Sequence, residues 1–318
     1  RTSGGSTGDA CRGRVRRLLG EESLRARPCL LATVCRPGVS SLPVTTIGAA
    51  WRTASEHIDR LDARLLVQHL AGCRYAELLA HPTRPLPDEQ VAQLESLVRR
   101  RVAGEPLAYL LGSAEFHGLE FLVNPTVLIP RPETELLVEL AIESLQGKMA
   151  PRVLDLGTGS GVLAVTIGHF VPATVLTAVD LSSEALAVAR QNARRHEVAV
   201  RFLTGDWYSP LTGERYDLIV ANPPYVADGD PHLQGNGLPF EPRMALTDGV
   251  SGGDGLACLR TVIGGAARHL LPGGRLLVEH GYDQAGKVRA LLRAAGFFEV
   301  RSWRDLSRIE RISGGSVE

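Results

Sequence analysis

The stretch that decides the fold is Arg152-Val153-Leu154-Asp155-Leu156-Gly157-Thr158-Gly159-Ser160-Gly161. Its first half is short and apolar and reads as a buried strand, Arg152–Leu156. Glycines at alternate positions then let the backbone turn sharply and approach a ligand closely. A helix is predicted over Gly161–Phe170, and its first N–H groups would face that ligand. The spacing is G-x-G-x-G, and Val162 stands where a dinucleotide fold places its third glycine. A nucleoside without a pyrophosphate suits this loop better.

Downstream, strands are predicted at Thr174–Asp180, Val200–Thr204, Tyr216–Ala221 and Arg275–Glu279. Helices are predicted at Glu184–Arg195, Leu256–Leu271 and Gln284–Ala295. This alternation implies an α/β fold, a mostly parallel sheet with helices on both faces. Strands near Glu299–Trp303 and Ile309–Ile312 suggest an antiparallel hairpin at one edge. The second strand ends at Asp180, about 20 residues past the glycines, where a carboxylate can accept hydrogen bonds from two ribose hydroxyls. The third leads into Gly205-Asp206-Trp207, an aromatic face and an acid suited to an adenine. Glycine-rich turns end strands in many proteins, but here three strand ends lie side by side on one carboxyl edge. The residues expected to hold the cofactor are therefore Asp155, Gly157, Thr158, Gly159, Ser160, Gly161, Asp180, Leu181, Asp206, Trp207 and Asn222.

The fourth strand runs into Asn222-Pro223-Pro224-Tyr225. Pro224 lacks an N–H and pushes Pro223 into an extended conformation, leaving the Pro223 carbonyl free to accept. The Asn222 side-chain oxygen is a second acceptor. Two adjacent acceptors match the two hydrogens of a planar –NH2 group, and Tyr225 offers a face for stacking. Such a nitrogen is a poor nucleophile because its lone pair is delocalised. Acceptors on its hydrogens favour the positive charge that arrives with a methyl group, and fixed alignment lowers the barrier further. The quartet therefore reads as the catalytic centre of a methyl transfer to nitrogen. Its bland alternative is a proline-rich loop closing a strand.

The N-terminal part differs. From Ala49 to Leu111 the pattern is helical, with Ile58, Leu61, Leu65, Leu66 and Leu70 on one predicted face. A second helix is predicted at Tyr75–Ala80, and a third after Pro87-Asp88 with Val91, Leu94, Leu97 and Val98 inward. Glu115–Phe121 alternates around a glycine and reads as a short hairpin. The expected organisation is a helical bundle over 44–112, a hairpin linker over 113–130 and a catalytic domain over 131–318. Residues 1–43 are Arg-, Ser- and Gly-rich without apolar periodicity. They are expected to be a disordered or non-native extension, with Val44 a candidate start and a mitochondrial targeting segment the alternative.

Of 318 residues, 35 are basic and 35 acidic, so the formal net charge is zero. A chain that grips phosphate backbones usually carries a basic surplus, which argues against direct nucleic-acid binding. The five cysteines form no C-x-x-C pair, so a reducing compartment and no metal site are expected. No apolar run reaches membrane-spanning length.

Further segments carry a family resemblance: Gly104-Glu105-Pro106-Leu107-Ala108-Tyr109-Leu110-Leu111-Gly112, Phe116-His117-Gly118-Leu119, and Leu128-Ile129-Pro130-Arg131-Pro132-Glu133-Thr134-Glu135. Phe240-Glu241-Pro242, Leu271-Pro272-Gly273-Gly274 and Glu279-His280-Gly281 continue the pattern. With the glycine loop and the quartet, the chain from about residue 47 to 315 resembles the HemK/PrmC family, the protein-(glutamine-N5) methyltransferases of peptide chain release factors. The resemblance implies a Rossmann-like class I methyltransferase fold, S-adenosyl-L-methionine as cofactor, and the glutamine of the Gly-Gly-Gln motif in class I release factors as substrate. It implies that Asn222, Pro223, Pro224 and Tyr225 hold the glutamine amide, that Arg131, Glu133 and Glu241 line the site, and that the helical bundle helps dock the protein substrate. For Arg131, Glu133 and Glu241 an equal alternative is a salt bridge closing the cleft. A bacterial cytoplasmic monomer is expected. The rivals are a DNA adenine-N6 methyltransferase, which would flip a base into the quartet, and a cofactor-binding protein without activity.

Overall fold

The structure is a computed structural model that describes residues 45–235 and 237–318. The expectations for residues 1–43, and for Val44, lie outside the described residues. Thr46 is extended, and its hydroxyl accepts the Ala49 N–H to start α1 (Ile47–Ala54). Asp59 caps α2 (Arg60–Ala71), which stops at left-handed Gly72. α3 (Tyr75–Ala80), α4 (Asp88–Val102) and α5 (Leu107–Leu111) complete the helical part. Its core gathers Ile47, Leu66, Val67, Leu78, Leu94 and Leu110. Leu61, expected inward, is instead 50% exposed. It lies five residues from Leu66, about 140° around the helix, so Ala63, Leu66, Val67 and Ala71 take the buried face.

The hairpin forms as read: β1 (Ser113–Phe116) pairs antiparallel with β2 (Leu119–Leu122). Phe116 and Phe121 are fully buried, in the same cluster as Leu137 and Leu218. The sheet then follows, with β3 (Arg152–Leu156), β4 (Val175–Asp180), β5 (Val200–Thr204), β6 (Tyr216–Ala221), β7 (Leu270–Glu279), β8 (Phe298–Arg304) and β9 (Glu310–Ser316). The order is β5-β4-β3-β6-β7-β9-β8, parallel from β5 to β7 and antiparallel beyond. The last strand is thus not the edge: β9 inserts between β7 and β8. Alternation along β3 sorts two layers. Val153 packs with α6 (Glu135–Leu145) and α7 (Val162–Phe170), while Leu154 and Leu156 pack in the cluster that includes α10 (Ala257–Ala266) and α11 (Ala285–Ala294). α8 (Ser183–Arg195) lies in the first layer, and α9 (Arg243–Leu246) is a single turn.

Two elements differ markedly from the sequence reading. α6 was not anticipated: its run Leu136, Leu137, Val138, Leu140, Ala141 is apolar on most faces, so periodicity is weak, although Pro132 and Glu133 are start signals. The predicted Leu256–Leu271 helix stops early, because Pro272 and Gly273 cannot continue it and Leu270 pairs with Tyr216 as strand. Among the described residues no helix is long and apolar enough to cross a membrane.

Asn192, fully buried on α8, joins three pieces. Its amide oxygen accepts the Leu122 N–H at 2.7 Å, and its amide nitrogen donates to the carbonyls of Leu122 at 3.0 Å and Ser160 at 2.9 Å. Replacing it by Ala strands these backbone groups. We expect Asn192→Ala to cost about 1–3 kcal/mol per group left unpaired, measured by urea unfolding.

Candidate active site

Strand register sets the site. Leu156 pairs with Val179 on one side and Ala221 on the other; Ala221 pairs with Val278, and Asp180 with Thr204. The loops beginning at Gly157, Gly205 and Asn222, and the Asp180 and Glu279 side chains, therefore start near one level of the sheet. The chain leaves β3 toward β4 and later returns to β6 on the other flank, so a crevice opens where the winding reverses.

A cavity of about 530 Å³ fills that crevice. Gly157, Thr158, Gly159, Ser160, Asp180, Leu181, Asp206, Trp207, Asn222 and Pro224 line it. The glycine loop is held at its base by Gly157 and Thr158 N–H donated to the Val179 carbonyl at 2.9 and 3.0 Å. Gly161 adopts φ 83°, and a Cβ there would stand 3.1 Å from the Ala189 Cβ, so this glycine serves the packing of α7 against α8. Asp180 accepts from Gly159 N at 2.7 Å and Ser182 N at 2.9 Å, a loop-bracing role the sequence did not suggest. Each of its oxygens keeps a further lone pair for a ligand hydroxyl. Trp207 holds φ 46°, uncommon for a bulky residue, and its ring edge sits against Gly157. Cys258 also lines the cavity; burial pushes its thiol up to about 11, so it stays protonated.

Asp155 and Gly161 stand behind the wall. Asp155 is fully buried; its Oδ2 accepts from Thr158 Oγ1 at 2.6 Å and from Ala164 N at 3.2 Å, and its Oδ1 has no partner. Burial raises its pKa to about 7.

The quartet's bracing was not legible. The Asn222 amide nitrogen donates to Thr134 Oγ1 at 3.1 Å, Thr134 donates to Glu279 Oε2 at 2.7 Å, and the Tyr225 hydroxyl donates to Glu279 Oε1 at 3.1 Å. Thr134 has one hydroxyl hydrogen. Since the carboxylate takes it, Asn222 must present N–H to Thr134, which leaves its oxygen free. Among the described residues nothing donates to the Pro223 carbonyl. Pro223 is buried, and Tyr225 packs against the core behind the cavity wall. Gln284 Nε2 donates to the Tyr225 carbonyl at 3.0 Å, and Gly255 lies so close to that carbonyl that any Cβ would collide with it. Glu279 is fully buried, and burial raises its pKa to about 7. Thr134 and Glu279 both fall within segments that carry the family resemblance, residues 128–135 and 279–281.

Of the remaining predicted residues, Arg131 lines the cavity, whereas Glu133 and Glu241 do not. Arg131 forms an ion pair with buried Glu241, whose second oxygen accepts the Ile129 N–H at 3.0 Å. This pair fastens residues 129–131, of which Pro130 and Arg131 line the cavity. Glu133 is half-buried, and its charge helps to raise Glu279.

Comparison with known proteins bears on this geometry. A family model described as the methyltransferase small domain matches residues 133–234, and one described as the PrmC N-terminal domain matches residues 49–112. A release factor glutamine methyltransferase from Bordetella pertussis is 56% identical over 263 residues, 82% of this chain and 96% of that protein. Proteins of the same name from Burkholderia pseudomallei and Neisseria gonorrhoeae are 51% and 44% identical, over 82% and 81% of this chain and 93% of each relative.

Asp155 yields a pH prediction. Its folded pKa lies above its unfolded value, so its stabilising contribution is full below about pH 4 and is lost as pH rises toward 7. The stability of the wild type relative to Asp155→Asn should fall by up to ~1.4 kcal/mol per pH unit across that window. Urea unfolding of both proteins at pH 4 to 8 checks it.

Proposed function

The chain belongs to the release factor glutamine methyltransferase family, S-adenosylmethionine-dependent enzymes, and on that premise we propose that it methylates the side-chain amide nitrogen (N5) of the glutamine in the Gly-Gly-Gln motif of class I peptide chain release factors. The observation that carries the reading is the Asn222 side chain, which lines the glycine-loop cavity with its oxygen free, next in sequence to a Pro223 carbonyl that accepts nothing among the described residues. The family assignment weighs against the adenine-N6 and inactive readings.

The residues present fit the cofactor. Gly159 leaves an open backbone face, Asp180 keeps lone pairs for ribose hydroxyls, and Asp206 and Trp207 offer an acceptor and a ring to an adenine. When bound, S-adenosylmethionine supplies an electrophilic methyl on its sulfonium. Everything else is done by the chain. The Asn222 oxygen and the Pro223 carbonyl take the two amide hydrogens, which orients the nitrogen and stabilises the positive charge that develops on it. Tyr225, fixed at its hydroxyl and its carbonyl, backs the quartet from behind the cavity wall and needs no ordering on binding. The methylated nitrogen is acidic and yields its proton to water, so a general base is not required. We take the working unit to be a single chain, since the whole proposed site comes from one chain, and the setting to be the bacterial cytoplasm, where class I release factors act.

The test is incubation with labelled S-adenosylmethionine and either a release factor or unmethylated DNA, followed by mass analysis of the Gly-Gly-Gln peptide. Label on the glutamine is expected; label on adenine alone would refute the reading. Asn222→Ala should lower turnover about 10²–10³-fold while retaining part of cofactor binding. Asp180→Ala should weaken cofactor affinity by about 1.5–3 kcal/mol in titration calorimetry.

A further inference from the structure

Glu279 is fully buried at the carboxyl end of β7, and the register places it beside Asn222. Only hydroxyls are hydrogen-bonded to it among the described residues, one from Thr134 and one from Tyr225. A carboxylate is a costly way to fill a core when its donors are neutral. Packing alone would be met by an apolar residue of similar size. What an apolar residue could not do is take both hydrogens at once. The two donors also come from separate places: Thr134 from the turn before α6, Tyr225 from the quartet itself. Thr134, only 2% exposed, touches both the cavity and the carboxylate.

We propose that Glu279 and Thr134 are positioning residues for the transfer. The carboxylate takes the hydroxyl hydrogens of Thr134 and Tyr225, Thr134 then has only a lone pair to offer Asn222, and Asn222 is held with its N–H inward and its oxygen outward. This inference rests on the proposed methyl transfer. Without the tether, an Asn side chain has two nearly equal orientations that exchange acceptor for donor. In the flipped orientation Asn222 would present –NH2 to the substrate's –NH2, which cannot bond. The tether therefore selects a methyl acceptor's partner by orientation, not by adding contacts to the substrate. Neither Glu279 nor Thr134 needs to touch the reacting atoms. The same carboxylate holds the Tyr225 ring, so one buried group sets two members of the quartet.

The experiment compares wild type with Thr134→Val, Thr134→Ser, Glu279→Gln and the double variant Thr134→Val/Glu279→Gln. Steady-state kinetics use a release factor and labelled S-adenosylmethionine. Thr134→Val and Glu279→Gln should each lower kcat at least about tenfold, with KM for both substrates within about twofold, because ground-state binding is largely kept. Thr134→Ser, which retains the hydroxyl, should recover most of kcat. The double variant should be little worse than the more severe single one, since both break one chain of bonds. A second arm needs no substrate: the Asn222 side-chain NH2 protons, followed by NMR, should exchange slowly with solvent in wild type and Thr134→Ser and faster in Thr134→Val. Wild-type kcat in Thr134→Val, a change confined to KM, or unchanged Asn222 exchange would overturn the proposal. If Glu279→Gln does not fold, the Thr134 pair decides. If wild type fails to methylate the release factor, the functional reading falls, and the exchange measurement still judges the tether by itself.

Discussion

Parallel pairing sets Leu156, Ala221 and Val278 in neighbouring register positions, and the rest of the site depends on that alignment. One residue further along each strand come Gly157, Asn222 and Glu279. A slip of one position would turn each strand's side chains to the opposite layer and separate these three residues. The slip is prevented by burial on both faces: Val153, Leu218, Val220 and Leu277 pack on one layer, and Leu154, Ile219, Leu276 and Val278 on the other. Core packing and site geometry are therefore the same fact seen from two ends of the strands.

The polar groups buried near that edge each serve a backbone or a side chain that must not move. Asp155 holds Thr158 and the start of α7, Asn192 ties the hairpin and Ser160 to α8, and Glu279 holds Thr134 and Tyr225. Asp180 braces the glycine loop directly and lines the cavity beside it. Burying such groups is unfavourable, and the apolar layers around them must offset it. Asp155 shows the strain of this arrangement most plainly, with one oxygen bonded twice and the other not at all.

What was legible in the sequence was local. The glycine loop, Asp180, Asp206-Trp207 and the quartet each announce themselves within a few residues, because strand ends and turns are written in short patterns. The helical part and the hairpin were legible for the same reason. Three things were not. α6 is apolar on most faces, so its period is faint. Thr134 and Glu279 are 145 residues apart, and nothing near either one names the other. Arg131 and Glu241 are 110 residues apart, and nothing near either one points to their ion pair. Which side of the cavity wall Asp155 and Tyr225 occupy depends on the packing of distant helices.

The place of β9 between β7 and β8 has a consequence for how the chain is made. Chains emerge from their amino end, and early parts fold as they appear. β8 leaves the ribosome before β9, yet it has no partner in the sheet until β9 arrives. Until then β7 presents an open row of amide and carbonyl groups, the kind of edge that recruits other chains. The hazard is brief, because only a short turn separates the two strands, and the arrival of β9 closes both gaps in one event. After β3, which starts the sheet, β8 is the one strand with no earlier strand to pair with, so its place depends on β9 docking.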